Sequence, residues 1–216
     1  MRILLLSMPD SFEHTPAIAI RMPNGALASL AGNLDPHHQV AVADLVLAQS
    51  SVKATVGHLV ASLQPDVVGL SVMTFQRASA RRIIALIRAL RPTTTIVVGG
   101  YDPSLAPEAW MHPAIGVDAI VRGEGDVTLR ELIRALERGQ PLSGIDGLWF
   151  RDGDGFHRNP PRHVSTLAGD ELRPPNRGAR VLGGYTMLGR PVDVVETSRG
   201  CTFDCSFCSI IEMRGR

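Results

Sequence analysis

All three cysteines of the chain, Cys201, Cys205 and Cys208, fall within Ser198-Arg199-Gly200-Cys201-Thr202-Phe203-Asp204-Cys205-Ser206-Phe207-Cys208. Thiolates this close in sequence can converge on one soft metal centre, whereas bridging them as disulfides would strain the backbone. Three ligands are one short of a closed zinc site, and the nearest histidines, His157 and His163, lie far upstream without finger-like spacing. An iron–sulfur cubane tolerates the deficit, because three thiolates leave one iron open to a substrate or cosubstrate. A zinc or redox thiol site and structurally idle cysteines are the alternatives.

The spacing, three residues between the first two cysteines and two between the next pair, with aromatic Phe207 before the last, resembles the radical S-adenosylmethionine enzymes. The Ser-Arg-Gly before Cys201 and Phe203 after it match a common form of that motif, while Thr202 stands where proline is frequent. The resemblance implies that Cys201, Cys205 and Cys208 hold a [4Fe-4S] cluster. It further implies that the open iron chelates S-adenosylmethionine, that Phe207 lies beside the adenine, and that the reduced cluster yields a 5'-deoxyadenosyl radical.

The elements that must position this loop follow from the hydrophobic pattern. Short apolar runs at Ile3 to Ser7, Val40 to Ala43, Asp66 to Ser71, Thr95 to Val98 and Ala119 to Val121 read as strands buried on both faces of a parallel sheet. Between them, helical periodicity recurs around Leu27 to Leu34, over residues 51 to 63, from Ala80 to Leu90, around Leu105 to Met111, and from Leu129 to Leu136, with Gly139 as a cap. Arg77, Arg81 and Arg88 occupy the polar side of the third helix and read as a solvated face. Five strands alternating with five helices predict a doubly wound, flavodoxin-like α/β domain with strand order 2-1-3-4-5.

Beyond Pro141 the pattern changes to a β-hairpin around Asp152-Gly153-Asp154-Gly155, then a Pro- and Arg-rich linker, then an apolar strand at Val192 to Thr197 that leads into the cysteine loop. The expected divisions are an α/β domain over 1–140, a hairpin and linker over 141–185, and the start of a second, barrel-type domain over 186–216. A partial barrel needs many more residues than the eight that follow Cys208. The chain by itself is therefore expected to be inactive, with its 192–197 strand either disordered or docked on the α/β domain.

Ligands of open parallel sheets bind beyond the carboxyl ends of the strands. Three such ends are rich in small or hydroxyl residues: Gly69-Leu70-Ser71-Val72-Met73-Thr74, Val98-Gly99-Gly100-Tyr101 and Arg122-Gly123-Glu124-Gly125-Asp126. They fall on one edge, where a large flat or phosphate-bearing group can approach the backbone. The third strand ends in Ser71 rather than an acid and no lysine follows Lys53, which excludes a phospho-receiver; Ser7-Met8-Pro9-Asp10 lacks the dinucleotide glycine pattern.

Together with the cysteine loop, this arrangement resembles the cobalamin-binding radical S-adenosylmethionine enzymes. The resemblance implies that Ser71, Met73, Thr74, Gly99, Gly100, Tyr101, Gly123, Glu124, Gly125 and Asp126 surround cobalamin, and that bulky side chains at Gly99 and Gly100 would block it. In domains that ligate cobalt through histidine, the first loop carries Asp-x-His-x-x-Gly; here Asp10-Ser11-Phe12-Glu13-His14-Thr15 departs from it. Cobalamin without a histidine ligand is expected, with Met73 covering the lower face and His14 the alternative. The implied reaction is methyl transfer to an unactivated carbon of a small molecule, with an electron donor such as flavodoxin or ferredoxin. Cyclisation or rearrangement, a non-catalytic corrinoid module, and a radical enzyme with an empty α/β domain are the rivals.

A net charge of +1 gives no argument for nucleic acid or an anionic membrane surface. No apolar run approaches the length of a membrane span, and reduced cluster-binding thiols suit the cytoplasm.

Overall fold

The computed structural model describes residues 1–9, 21–162, 172–203 and 205–214. Five parallel strands form its centre: β1 (Arg2–Ser7), β2 (Gln39–Asp44), β3 (Val67–Ser71), β4 (Thr95–Gly99) and β5 (Ala119–Val121). They lie in the order β2-β1-β3-β4-β5, the flavodoxin-like order expected from the sequence. Helices α1 (Gly25–Asn33), α2 (Val52–Leu63), α3 (Arg77–Leu90), α4 (Tyr101–Leu105) and α5 (Gly125–Arg138) follow the strands in turn.

The period-2 alternation of the strands divides the core in two. Leu4, Leu6, Val68, Leu70, Ile96, Val98 and Ile120 pack against Val56 and Val60 of α2 and Ala80, Ile83, Ile84 and Ile87 of α3. The opposite face, with Ile3, Leu5, Val67, Val97 and Val121, meets Leu27 and Ala31 of α1 and Leu129, Leu132 and Ile133 of α5. Gly139, at φ +60°, ends α5 as the sequence indicates.

Four expectations are corrected. The short helix expected around Leu105 to Met111 instead begins earlier, as α4, and continues as a 3-10 turn over Pro107–Trp110. Proline at position 107 favours such a restart. The arginines of α3 are not a solvated face. Arg77 holds the buried Asp102 through two hydrogen bonds of 2.9 and 2.6 Å, and Trp110 Nε1 donates to the same carboxylate at 2.9 Å. Arg88 donates to the carbonyls of Thr94 and Gly116 and to Asp118, while Arg81 reaches the Ala109 carbonyl. A long side chain whose stem lies on a helix can satisfy loop carbonyls that the helical period does not reveal.

The hairpin β6 (Leu148–Asp152) and β7 (Gly155–Arg158) is not a separate module. β6 pairs antiparallel with β5 and extends the same sheet to seven strands, so strands on both sides of residue 140 belong to one sheet. Likewise, the described part of the Pro-rich segment is a strap packed across α1. Asn176 N donates to the Ala28 carbonyl at 2.8 Å, and a Cβ at Gly32 would lie 2.0 Å from the Pro174 carbonyl oxygen. Val181 N donates to the Val42 carbonyl on the outer edge of β2.

Fourth, Val192 to Thr197 is not a strand. A two-residue pairing of β8 (Thr186–Met187) with β9 (Arg190–Pro191) precedes it, and the segment then runs without a ladder. Arginines hold it on the domain: Arg177 donates to the Val194 carbonyl, and Arg180 forks onto Asp193 at 3.0 and 3.1 Å. Strand preference is largely a preference for cross-strand neighbours, and here none is paired with it. It is docked, one of the two states expected of it. The last element, α6, spans Ile210–Arg214.

The strap depends on Asp35, which accepts from Arg134 at 2.6 and 2.8 Å and from Arg173 at 3.1 Å. The Arg134 hydrogen bonds chiefly, opposed by burial and reinforced by Arg173, hold the Asp35 carboxyl well below the usual carboxylate range. A depressed folded-state pKa contributes stability above the unfolded value and loses it as pH falls. Asp35→Asn is therefore expected to lower stability at neutral pH and to flatten its acid loss below about pH 4 in urea titrations. Equal acid dependence in both proteins would show that the pair contributes nothing.

Candidate functional site

The slot on the α1/α5 side of the sheet arises from side chains that are absent. At the carboxyl end of this face the rungs read Leu5, Gly69, Val97 and Ala119, then Ser7, Ser71, Gly99 and Val121. On the other face the same strands carry leucine, isoleucine and valine throughout. Helices seated on the larger residues of the lower rungs cannot descend onto glycine and serine, so a cleft remains. Its floor is Leu5, Gly69, Val97, Gly99 and Val121; Ala26 and Leu30 of α1 and Leu129 of α5 form its walls. Such a shape suits a flat, largely apolar group with its polar atoms at the mouth.

Gly100 shows why one glycine here is obligatory. It adopts φ +96°, and a Cβ would lie 2.9 Å from both the amide nitrogen and carbonyl oxygen of Val72. Those two atoms are in use, Val72 N donating to Gly99 O and Val72 O accepting from Asp102 N. Gly99 differs: a Cβ there meets nothing closer than 3.4 Å, at the Val121 carbonyl oxygen. Bulk at both glycines together would therefore disrupt the loop as well as the slot.

Of the residues expected around a ligand, Ser71, Gly99, Gly100, Gly123, Glu124 and Gly125 line the slot together. Met73 and Tyr101 line a larger cleft that joins it, sharing Ser71 and Gly100. Thr74 lines neither cleft and opens the exposed 3-10 turn Thr74–Gln76. The loop of Asp10 to Thr15, with His14, lies outside the described residues.

Arg199 closes the mouth. Its Nη1 lies 2.5 Å from Glu124 Oε2 and 2.5 Å from Asp126 Oδ2, its Nη2 donates to Ser29 Oγ at 3.1 Å, and its Nε donates to Glu196 at 2.9 Å. The side chains of Arg199, Glu124 and Asp126 are 8%, 9% and 6% exposed. Burial works against the guanidinium charge, but the Asp126 and Glu124 carboxylates outweigh it and raise its pKa above the ordinary value. Asp126 also accepts from Ser29 Oγ at 2.6 Å and Asn33 Nδ2 at 3.2 Å, joining α5 to α1. Glu124 thus serves the closure with its carboxylate while also lining the slot.

Two residues beyond Arg199 stands Cys201, half-buried, while Cys205 and Cys208 are exposed thiols. Cys208 N donates to Cys205 O at 3.0 Å, which turns the loop between them. Phe207 is 91% exposed and touches neither cleft. Three thiols on one turning loop are the kind of donors a soft metal centre takes, although the three cysteines are not among the groups of described residues whose donor atoms all lie within 4.8 Å of one another.

From the sequence, Arg199 and Ser29 have no place in the ligand edge, and Asp126 stands beside the ligand rather than in an ion pair. A signal existed in the basic Ser-Arg-Gly beside the first cysteine and the acidic Gly-Glu-Gly-Asp seventy-odd positions earlier, but sign complementarity does not specify a pair.

The model of the B12 binding domain matches residues 17–133. An uncharacterised methyltransferase of Pyrococcus horikoshii is 32% identical over 97% of this chain and 45% of its own length. The anaerobic magnesium-protoporphyrin IX monomethyl ester cyclase of Synechocystis sp. is 30% identical over 96% of this chain and 42% of its own. Among solved structures, the cobalamin-dependent S-adenosylmethionine radical enzyme OxsB, with aqua-cobalamin and S-adenosylmethionine bound, superposes with a TM-score of 0.76 at 26% identity, over 96% of this chain and 28% of that one. The chain thus spans less than half the length of these relatives.

Removing one partner of a buried ion pair leaves an uncompensated charge and costs about 3–5 kcal/mol. Arg199→Met is expected to fall near the lower end, about 3 kcal/mol in urea unfolding, and to make the cysteine loop more sensitive to protease. Pairing it with Asp126→Asn should restore part of the loss. A change below about 1 kcal/mol would place the guanidinium in solvent, where such pairs contribute little.

Proposed function

The chain belongs to the B12-binding domain family, and from that premise we propose that it serves a cobalamin-dependent radical S-adenosylmethionine reaction. In this reading the slot takes the nucleotide tail of cobalamin against Ser71, Gly99, Gly100, Gly123 and Gly125, and the joined cleft, with Met73 and Tyr101, takes the corrin side. Cys201, Cys205 and Cys208 would ligate a [4Fe-4S] cluster, with Phe207 beside the adenine of S-adenosylmethionine. The residues fit both groups: the slot is apolar and lacks Cβ atoms at Gly69 and Gly99 of its floor, and the loop offers three free thiols.

The observation that carries the proposal is Arg199. One side chain from the cysteine loop lines the slot and binds the carboxylates at the start of α5, so that the two sites are held at a fixed separation. When bound, the cluster with S-adenosylmethionine supplies hydrogen abstraction and cobalamin supplies methyl transfer. The chain's own contribution is positioning. The apolar slot excludes water from the buried tail, and Arg199 ties the loop to the edge at which the corrinoid sits.

The net reaction we favour is methylation of an unactivated carbon in a small molecule, with reducing equivalents from a flavodoxin- or ferredoxin-type donor. The 32% identical relative carries a methyltransferase name. Cyclisation is the second reading, because a relative 30% identical over nearly the whole chain is named as a cyclase. Among the described residues no helix is long and apolar enough to cross a membrane. We assign residues 1 to about 160 to the corrinoid unit, since the hairpin completes its sheet.

The test is absorbance titration with hydroxocobalamin, then anaerobic reconstitution with iron and sulfide. Gly99→Val is expected to weaken corrinoid binding at least tenfold, about 1.4 kcal/mol, in a folded protein. Gly100→Ala is expected to destabilise the fold with or without corrinoid. Serine at Cys201, Cys205 and Cys208 should abolish iron incorporation while leaving corrinoid binding intact. Unchanged corrinoid affinity in Gly99→Val would misplace the slot, and iron retained without the cysteines would misplace the cluster.

A further inference from the structure

At the end of the domain opposite the slot, the turn between α1 and β2 meets the last turn of α5. His37 Nε2 lies 2.9 and 3.2 Å from the two Glu137 carboxylate oxygens, and His38 Nδ1 lies 3.8 Å from Oε1. One donor atom from each of the three residues falls within 4.8 Å of the others. The two imidazole rings stand 4.0 Å apart by centroid, tilted by 52°.

We propose that His37, His38 and Glu137 form a binding site for a divalent cation of the zinc class. Tetrahedral zinc with nitrogen and oxygen ligands at about 2.0–2.1 Å places neighbouring donors about 3.3 Å apart. The two separations from the Glu137 oxygen, 2.9 and 3.8 Å, bracket that value, and the two histidine donors lie within 4.8 Å of each other, so closure needs side-chain movements of up to about 1.5 Å. Two imidazoles and one carboxylate favour zinc over magnesium or calcium, which prefer all-oxygen sites.

The surroundings suit a cation. The carboxyl end of a helix is its negative pole, and α5 ends one residue beyond Glu137. His38 is buried and fixes one donor, while His37 and Glu137 are exposed and leave a path for entry. The neighbouring Asp35 is occupied by Arg134 and Arg173 and does not compete. The Met1 backbone nitrogen, 3.2 Å from His38 Nδ1, must move aside or join the site. With three protein ligands, a fourth position is open to water.

The site would pin the α1–β2 turn to α5 at the far end from Arg199. Asp126 and Glu137 lie on one helix, about 16 Å apart at 1.5 Å per residue. Both termini of α5 would then be tied to α1 or its following turn, one by an arginine and one by a metal. This proposal is independent of corrinoid binding.

Zinc chloride is titrated by calorimetry into the chain carrying Cys201→Ser, Cys205→Ser and Cys208→Ser, so that thiolates cannot bind the metal. One equivalent is expected to bind with micromolar or tighter affinity and to raise the unfolding temperature. His37→Ala and Glu137→Gln, both at exposed positions, are each expected to weaken binding by about tenfold or more and to remove the thermal shift. No saturable binding by the cysteine-free chain would overturn the proposal. Equal binding by the two variants would also overturn it, assigning the metal to other surface histidines.

Discussion

A guanidinium buried between two carboxylates is costly to place and costly to disturb, and this fold is arranged around one. Arg199 enters from the cysteine loop, and its partners Glu124 and Asp126 sit at the first turn of α5, where backbone N–H groups also favour negative charge. Ser29 and Asn33 of α1 share the Asp126 oxygen. Through one side chain, the two helices that flank the slot and the loop that bears the thiols are held together. Loss of the guanidinium would leave two carboxylates buried without their counter-charge.

The slot depends on a different economy of atoms. The two faces of the same strands differ in side-chain volume only near the carboxyl ends, where Gly69, Ser71 and Gly99 face α1 and α5. Close packing is the rule in protein interiors, and a face that ends in glycine cannot fill the space beneath helices supported elsewhere by leucine and valine. The resulting cleft opens beside Gly100, whose left-handed backbone is imposed by the Val72 peptide lying against it. A gap of this kind in an otherwise tight domain is the form a ligand-binding edge takes in open parallel sheets.

Arginine carries much of the remaining organisation. Arg77 and Arg88 fix the loops after β4 and before β5, Arg173 and Arg134 share Asp35, and Arg177 and Arg180 hold the segment leading to the cysteines. A planar fork with five donors can satisfy several carbonyls and a carboxylate at once, which a lysine cannot. In a chain with one lysine, this chemistry replaces secondary structure where a segment such as 192–199 has no strand to pair with.

The strand order, the alternation of helices and strands, the glycine-rich edge and the cysteine loop were all legible in the sequence. They depend on local periodicity and on residue types at fixed spacing, and both are properties of the chain itself. What the sequence could not reveal were relations between distant residues. The Arg199 closure joins positions 29, 124, 126 and 199, and the hairpin's place on the edge of β5 joins residues near 120 and 150. The arginines of α3 read as solvent-facing because the helical period reports a side chain's direction but not what stands in its way. Val192 to Thr197 has a strand's composition without a strand's neighbours, and only packing in three dimensions decides whether such a run becomes a strand.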